Sequence, residues 1–160
     1  GFPLGATAAR AGIMRAWGDA SHGTTCGGNP VACSAALAVL QVIADEGLLD
    51  NAREQGRYMV ERLRQLQTVA PVIGDVRGLG LMVAAEFIRP GTDRQANPGL
   101  VRRILQLALD RGLLLYPCGH WSQTIRLIPA LTITRAQVDE GLGIFSEAVL
   151  QAQGEQERSC

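Results

Sequence analysis

The hydrophobic pattern separates one almost wholly apolar segment from several amphipathic ones. Residues 31–44 carry no charged side chain, and small or apolar residues stand on every side at helical spacing. This predicts a buried helix from Pro30 to about Glu46, begun by Asn29 and Pro30 and ended by Gly47. Residues 48–67 instead place apolar positions at helical spacing among Arg, Glu and Gln, which predicts an amphipathic surface or linker helix.

Beyond Pro71 the pattern is typical of short strands. Residues 72–88, VIGDVRGLGLMVAAEFI, combine β-branched and apolar runs with glycines and predict one or two strands. LLLY at 113–116 and TIRLI at 124–128 predict two more, joined by the turn PCGHWSQ. For the first 21 residues we expect a strand followed by a short helix.

Two further helices are predicted in this second part. Asn97 and Pro98 provide a second Asn-Pro helix start, and Gly112 ends that helix. Thr134 and Gln137 form a capping-box pattern, after which a helix places four apolar residues inward: Val138, Leu142, Phe145 and Val149. The polar tail GEQERSC is expected to fray.

Composition excludes several classes of function. With 160 residues the chain has room for one domain or two small ones, and its 15 basic and 15 acidic residues leave no basic patch for nucleic acid. The longest uncharged apolar run is shorter than the roughly 20 residues of a membrane span. Four cysteines without a CxxC pair indicate neither a zinc site nor a disulfide framework, so we expect the cytoplasm and no metal.

All fifteen basic residues are arginine, and the chain contains no lysine. A Schiff base on a lysine side chain is therefore impossible within these residues alone. The chain also opens with glycine, which suggests a piece of a longer protein.

Three stretches are candidates for chemistry. HGTTCGGNP, residues 22–30, is a glycine-rich turn before a helix start, so it is either an anion site or a tight turn onto a buried helix. RGLGLM, residues 77–82, lacks the helix that a dinucleotide fingerprint requires, which favours glycines at a strand entry. Arg126 alternates with Ile125 and Leu127, so it lies either on a solvent face or in a carboxylate clamp. His22 and His120 are too isolated to indicate a catalytic triad or a metal pair.

Four blocks, in this order and at these separations, carry a resemblance to a known family. They are GFPLGA, HGTTCGGNPVACSAALAVL, VRGLGLMVAAEF and GLLLYPCGHWSQTIRLIPALTIT. Together they closely resemble the C-terminal part of class-III pyridoxal-phosphate aminotransferases, most of all 4-aminobutyrate aminotransferases, over residues 1 to about 150.

The resemblance implies an α/β fold, the C-terminal part of a fold-type-I transferase. Residues 1–47 would end the large cofactor-binding domain, 48–70 would form a linking helix, 71–152 the small C-terminal α/β domain and 153–160 a polar tail. It also implies a homodimer with active sites at the subunit interface and pyridoxal 5′-phosphate bound covalently to a lysine. That lysine would stand a few residues before the first block, so its absence here is what truncation would produce.

Two site residues follow from the resemblance. Thr25 matches the threonine that donates a hydrogen bond to the cofactor phosphate in the neighbouring subunit's site. Arg126 matches the arginine that binds a carboxylate of the amino acid or oxo acid. Cys26, where the family has Phe or Tyr, and the turn from His120 to Gln123 depart from the family pattern, which leaves the substrate open.

Two functions remain possible at this point. The first is the C-terminal portion of an aminotransferase that moves an amino group from an omega-amino acid such as 4-aminobutyrate to 2-oxoglutarate or pyruvate, with the chain inactive alone. The second is a stand-alone, non-catalytic α/β module for binding or assembly that keeps the same fold.

Overall fold

The computed structural model describes residues 2–18 and 22–158. The chain forms two compact units, Gly1–Gly47 and Leu48–Cys160. In the first unit the regular elements are α1 (Ala11–Met14) and α2 (Pro30–Asp45). Asn29 caps α2, because its Oδ1 accepts hydrogen bonds from the amides of Val31 and Ala32 at 3.0 and 3.2 Å. The predicted helix and its Asn-Pro start are confirmed.

Two expectations for the first unit are wrong. Residues 2–10 contain no strand, since a strand needs a neighbouring strand to satisfy its backbone groups. The short helix expected after it is present as α1, and residues 19–21, which follow that helix, lie outside the described residues. Helix α2 is also not buried: Ala32 is its one buried residue among those described, while Leu37 and Leu40 are 68% and 64% exposed. An all-apolar pattern indicates that a helix packs against other segments, but it does not show whether those segments belong to the same 160 residues.

The second unit is a four-stranded antiparallel sheet with three helices. Its elements in chain order are α3 (Leu48–Val69), β1 (Ile73–Leu79), β2 (Met82–Phe87), α4 (Pro98–Asp110), β3 (Tyr116–Cys118), β4 (Thr124–Leu127) and α5 (Arg135–Arg158). The strand order is β1-β2-β4-β3. Each neighbouring pair is antiparallel, so the two faces of the sheet can be read directly from the register.

One face of this sheet is buried under helices. The alternating side chains of β2 and β4, Val83, Ala85, Ile125 and Leu127, belong to the core together with the apolar sides of α3, α4 and α5. Phe87 and Phe145 meet edge to face with their ring centroids 6.3 Å apart. The four residues that the capping box places inward on α5 are all buried, so that prediction is confirmed.

Of the two glycines of RGLGLM, Gly78 lies near the end of β1 and Gly80 lies in the turn between β1 and β2. Gly80 has a φ of +53°, a conformation that side chains with a β-carbon rarely adopt. Because a strand rather than a helix follows this turn, it cannot hold a dinucleotide in the way the fingerprint requires. The prediction of glycines at a strand entry is confirmed.

Three details of the second unit differ from the sequence prediction. Strand β3 covers Tyr116–Cys118 rather than LLLY. Helix α3 is amphipathic as predicted, but its apolar side belongs to the core of the second unit rather than to a bare linker. The tail does not fray before Arg158, because α5 continues to that residue. Gln156 accepts a hydrogen bond from Asn97 at the start of α4, and Glu155 accepts one from Arg103 within α4. Residues 159 and 160 lie outside the described residues.

Candidate functional site

The first candidate site is the loop that precedes α2. Thr25 is exposed, and its hydroxyl lies 3.9 Å from the sulfur of Cys26. The neighbouring Thr24 Oγ1 accepts a hydrogen bond from the amide of Cys26 at 3.3 Å, which tightens the turn. Gly28 has a φ of +70°, so the chain needs glycine there to reach the helix start.

The first amides of α2 are already used. Those of Val31 and Ala32 donate to Asn29 Oδ1, and the amide of Cys33 donates to the Asn29 carbonyl at 2.9 Å. A phosphate at this helix end would compete with the cap for those donors. The Thr25 hydroxyl does not face this competition, because its weak contact with sulfur costs little to replace.

This loop fits one part of a pyridoxal-phosphate site. A phosphate oxygen accepts hydrogen bonds readily from an exposed hydroxyl, and glycines on both sides of the threonine let a ligand approach the backbone. The loop offers no amine for the aldehyde of the cofactor, since the chain has no lysine. It can therefore hold the phosphate end of the group and leaves the reactive end to other residues.

The second candidate site centres on Arg126, which lies in β4 on the face of the sheet away from the core. It pairs with Ala84 of β2 and Tyr116 of β3, and its side chain is exposed, in contrast with Ile125 and Leu127 on the other face. Within the part of the chain that the structure describes, the guanidinium has no hydrogen-bond or ion-pair partner. An unpaired guanidinium on a strand is a planar, rigidly placed donor for a carboxylate.

A cavity of about 330 Å³ opens beside Arg126 at the β3 edge of the sheet. It is lined mainly by apolar side chains, with Arg126, Tyr116 and Gln137 as its polar members. An apolar cavity with one cation among its lining residues suits a small molecule that carries a carboxylate on a short carbon chain. The structure thus gives Arg126 a setting in which a carboxylate can bind.

Acidic side chains on the same face are occupied by another arginine. Arg77 Nη1 donates to Asp75 Oδ2 at 2.5 Å and to Glu86 Oε2 at 3.0 Å. These hydrogen bonds, that to Asp75 first, raise the pKa of Arg77. The sequence analysis missed this cluster, although the alternation of Asp75 with Arg77 along a strand was a signal that both face the same side.

The histidines do not take part in either candidate site. His22 stacks on Trp17 with ring centroids 4.7 Å apart, and His120 packs edge to face on Trp121 at 5.0 Å. In the turn before β4, the Gln123 side-chain oxygen accepts a hydrogen bond from the amide of Trp121 at 3.1 Å. Thr25 belongs to the first unit and Arg126 to the second.

The described residues hold neither a metal cluster nor a single membrane-spanning helix. Residues 2–18 and 22–158 contain no group of three or more His, Cys, Asp or Glu side chains placed to hold a metal ion. In the same ranges none of the single helices is long and apolar enough to cross a membrane; only α2 and α3 taken together, as a bent pair, reach that length and composition.

Comparison with known proteins gives a consistent result. The family described as aminotransferase class-III matches residues 1–149. The chain is 44% identical over 144 residues to a 4-aminobutyrate aminotransferase from Mycobacterium tuberculosis, covering 90% of this chain and 32% of that protein. It is 42% identical over 147 residues to a 5-aminovalerate aminotransferase from Pseudomonas aeruginosa, covering 92% and 34%.

Solved structures agree with the sequence comparison. The ornithine aminotransferase from Toxoplasma gondii, described with pyridoxal phosphate at its active site in partial occupancy, matches with a TM-score of 0.78 and 27% identity over 92% of this chain and 33% of that one. The predicted α/β fold class of fold-type-I pyridoxal-phosphate transferases is confirmed. The chain spans about a third of the length of the relatives it matches. Class-III aminotransferases use pyridoxal 5′-phosphate, and this chain belongs to the class-III aminotransferase family.

Proposed function

We propose that this chain is the C-terminal portion of a cytoplasmic, homodimeric aminotransferase. The enzyme moves an amino group from an omega-amino acid such as 4-aminobutyrate to an oxo acid such as 2-oxoglutarate. In this proposal residues 1–47 form the end of the large domain and residues 48–70 form a helix that links the two domains. Residues 71–152 form the small domain and residues 153–160 form a polar tail. The substrate class is supported by the activities for which relatives at 40–44% identity are named, 4-aminobutyrate and 5-aminovalerate transamination.

The observation that carries the proposal is the Arg126 guanidinium, which has no partner within residues 2–18 and 22–158 and lies beside an apolar cavity. Both substrates of the proposed reaction carry a carboxylate, and the cavity suits their short carbon chains. A bidentate hydrogen bond from the guanidinium fixes the orientation of that carboxylate and so the position of the distant reacting carbon. Arg126 thus binds and orients substrate.

Thr25 binds the cofactor of the reaction, pyridoxal 5′-phosphate. Its hydroxyl donates a hydrogen bond to the phosphate of pyridoxal 5′-phosphate in the neighbouring subunit's site. When bound, the cofactor supplies the electron-withdrawing ring that allows the carbon bearing the amino group to lose a proton. The amine that anchors the cofactor and moves that proton comes from a lysine outside these 160 residues, because the chain has none.

The test uses the protein encoded by the complete reading frame that contains this chain. Arg126→Ala should lower kcat/KM for 4-aminobutyrate and 2-oxoglutarate by roughly ten- to one-hundred-and-fifty-fold, the loss of a charge-assisted hydrogen bond. Arg102→Ala, which removes an equal charge from an exposed position of α4, is the matched control. An unchanged kcat/KM for Arg126→Ala would remove its role.

Two further measurements test the remaining parts. Thr25→Ala should weaken binding of pyridoxal phosphate, measured by equilibrium titration of the apoenzyme, and Thr25→Ser should restore it. The isolated 160-residue chain should show no transamination, and measurable turnover would contradict the assignment of the lysine to another segment. If the complete protein binds neither pyridoxal phosphate nor a carboxylate substrate, the non-catalytic module is favoured. The core formed by residues 52–152 would suit such a module.

A further inference from the structure

The outer face of the sheet carries two cross-strand rows of side chains. Directly paired residues of antiparallel strands point to the same side, so each row lies on one face. The rows are Asp75–Glu86–Thr124–Cys118 and Arg77–Ala84–Arg126–Tyr116. We call these eight residues the outer face. It holds two acids and two arginines.

The acids and arginines of the outer face are paired unequally. Arg77 binds both acids, Asp75 at 2.5 Å and Glu86 at 3.0 Å. Arg94, which follows β2 in the chain, adds a longer contact to Glu86 at 3.7 Å. Arg126 has no partner among the described residues, although it lies on the same face.

Glu86 is close enough to Arg126 to pair with it. Glu86 is opposite Thr124 and Ala84 is opposite Arg126, so Glu86 and Arg126 are diagonal neighbours on adjacent strands. Diagonal neighbours are about 7–8 Å apart at the backbone, a separation that a glutamate and an arginine can bridge. The Glu86 side chain is 19% exposed, so water stabilises its charge only weakly and a neighbouring cation is needed to do so.

We propose that Arg77 is a positioning residue for carboxylate recognition, because it holds Glu86 away from Arg126 and so keeps the Arg126 guanidinium free for substrate. The proposal rests on the proposed role of Arg126. A carboxylate fixed on the neighbouring strand competes with a dissolved substrate at an effective concentration set by proximity, and it also neutralises the charge that attracts the substrate.

The test measures binding of glutarate, an unreactive dicarboxylate, to the holoenzyme from the complete reading frame. Arg77→Met should raise the Kd for glutarate several-fold or more, and should raise KM for 2-oxoglutarate with kcat changed less than about twofold. Arg77→Met combined with Glu86→Gln should restore the Kd, because the competing charge is gone. Glu86→Gln alone should bind glutarate at least as tightly as the wild type.

Controls separate this effect from damage to the fold. Arg103→Met breaks the Arg103–Glu155 ion pair between α4 and α5 and should leave the Kd unchanged. If Arg77→Met does not fold, Arg77→Gln, which retains hydrogen-bond donors without the charge, takes its place with the same expected direction and the same rescue by Glu86→Gln.

The outcomes distinguish this inference from the proposed function. If Arg126→Ala leaves glutarate binding unchanged, the role of Arg126 fails and the inference fails with it. If Arg126→Ala weakens binding but the Arg77 variant does not, the inference alone is overturned. A weakened Arg77 variant that Glu86→Gln cannot rescue overturns it as well, because the loss then has another cause.

Discussion

A β-carbon on Gly56 would lie 1.9 Å from the carbonyl oxygen of Gly80. The turn between β1 and β2 therefore rests directly on α3, backbone against backbone. Gly56 lies in the middle of a 22-residue helix, where glycine is otherwise unfavourable by roughly 1 kcal/mol relative to alanine. The close approach of the two chain segments explains why glycine stands there.

Gly56→Ala should destabilise the protein despite the higher helix propensity of alanine. The new methyl group cannot be accommodated by a side-chain rotation, because the atoms it meets are backbone, so the turn has to move away from α3. The expected loss is about 1–3 kcal/mol in the free energy of unfolding, measured by urea denaturation. Gly143→Ala in α5 is the matched control, since a β-carbon there meets nothing within 4 Å.

The control should have the opposite sign. Gly143→Ala gains helix propensity without a clash and should stabilise by about 0.5–1 kcal/mol. If both variants shift the urea midpoint in the same direction, the contact between α3 and the hairpin turn is not what requires glycine at position 56.

Asn97 links the start of α4 to the end of α5. It is 2% exposed; its Oδ1 accepts from the amide of Leu100 at 3.3 Å and its Nδ2 donates to Gln156 Oε1 at 3.1 Å. Asn97→Ala removes the cap and leaves a buried amide without a partner, so we expect a loss of about 1–3 kcal/mol in the free energy of unfolding. Gln156→Ala, which loses only the second bond, should cost less, and an equal cost would contradict the capping role.

Local signals explain which parts of the fold the sequence predicted. The helix starts at Asn29, Asn97 and Thr134 were predictable because each cap is made by residues at most three positions apart. In the last of these, the Thr134 amide donates to Gln137 Oε1 at 3.0 Å and the Gln137 amide donates to Thr134 Oγ1 at 3.3 Å. Nothing beyond that helix turn is needed to form the pair.

Contacts between distant segments account for what the sequence did not predict. The Arg77–Glu86 ion pair depends on the register of a hairpin, and a shift of one residue would place the two on opposite faces. The ordered end of α5 depends on Arg103 of α4, more than fifty positions earlier. For the candidate site, the strand pattern placed Arg126 away from the core, but the absence of an ion-pair partner within the described chain required the structure.

Tyr58 joins α3 to α5 through its hydroxyl and its ring. The hydroxyl donates to Asp139 and accepts from Arg62 Nη1 at 2.6 Å, while the Arg135 guanidinium lies 3.6 Å from the ring centroid. Tyr58→Phe keeps the ring and removes the hydroxyl, so it should lower the free energy of unfolding by about 0.5–1.5 kcal/mol. Tyr58→Leu should cost about 0.5–1 kcal/mol more, because it also loses the cation–π contact.

The ring and hydroxyl contributions can be separated in thermal or urea unfolding of the same variants. In an Arg135→Met background the further cost of Tyr58→Leu over Tyr58→Phe should shrink, because the nearer of the two cations over the ring is gone and only Arg62, at 5.6 Å, remains. An unchanged difference in that background would show that the Arg135–Tyr58 contact contributes nothing beyond packing.

Glu155 provides a pH-dependent contribution to stability. Hydrogen bonds from Arg103 first, at 2.6 and 2.9 Å, and then from Gln151 lower the pKa of Glu155 from its ordinary value of 4.5 to about 2. A carboxylate with a lowered pKa stabilises the folded state fully above its unfolded pKa, and this contribution is lost as pH falls through the folded value. The window for this residue is therefore from about pH 4.5 down to about pH 2.

Arg103→Met should return the pKa of Glu155 toward its ordinary value and so flatten the dependence of stability on pH within that window. The measurement is the urea midpoint from pH 6 downward, with the Glu155 carboxyl followed by carbon-detected NMR where the protein remains folded. Glu155→Gln should remove the same part of the pH dependence, since it has no proton to gain. Because Arg103 is exposed and Glu155 is partly exposed, added salt should weaken the effect in the wild type and leave the variants unchanged. A wild-type Glu155 that titrates near pH 4.5, or a pH profile unaltered in both variants, would show that the Arg103–Glu155 pair does not hold in solution.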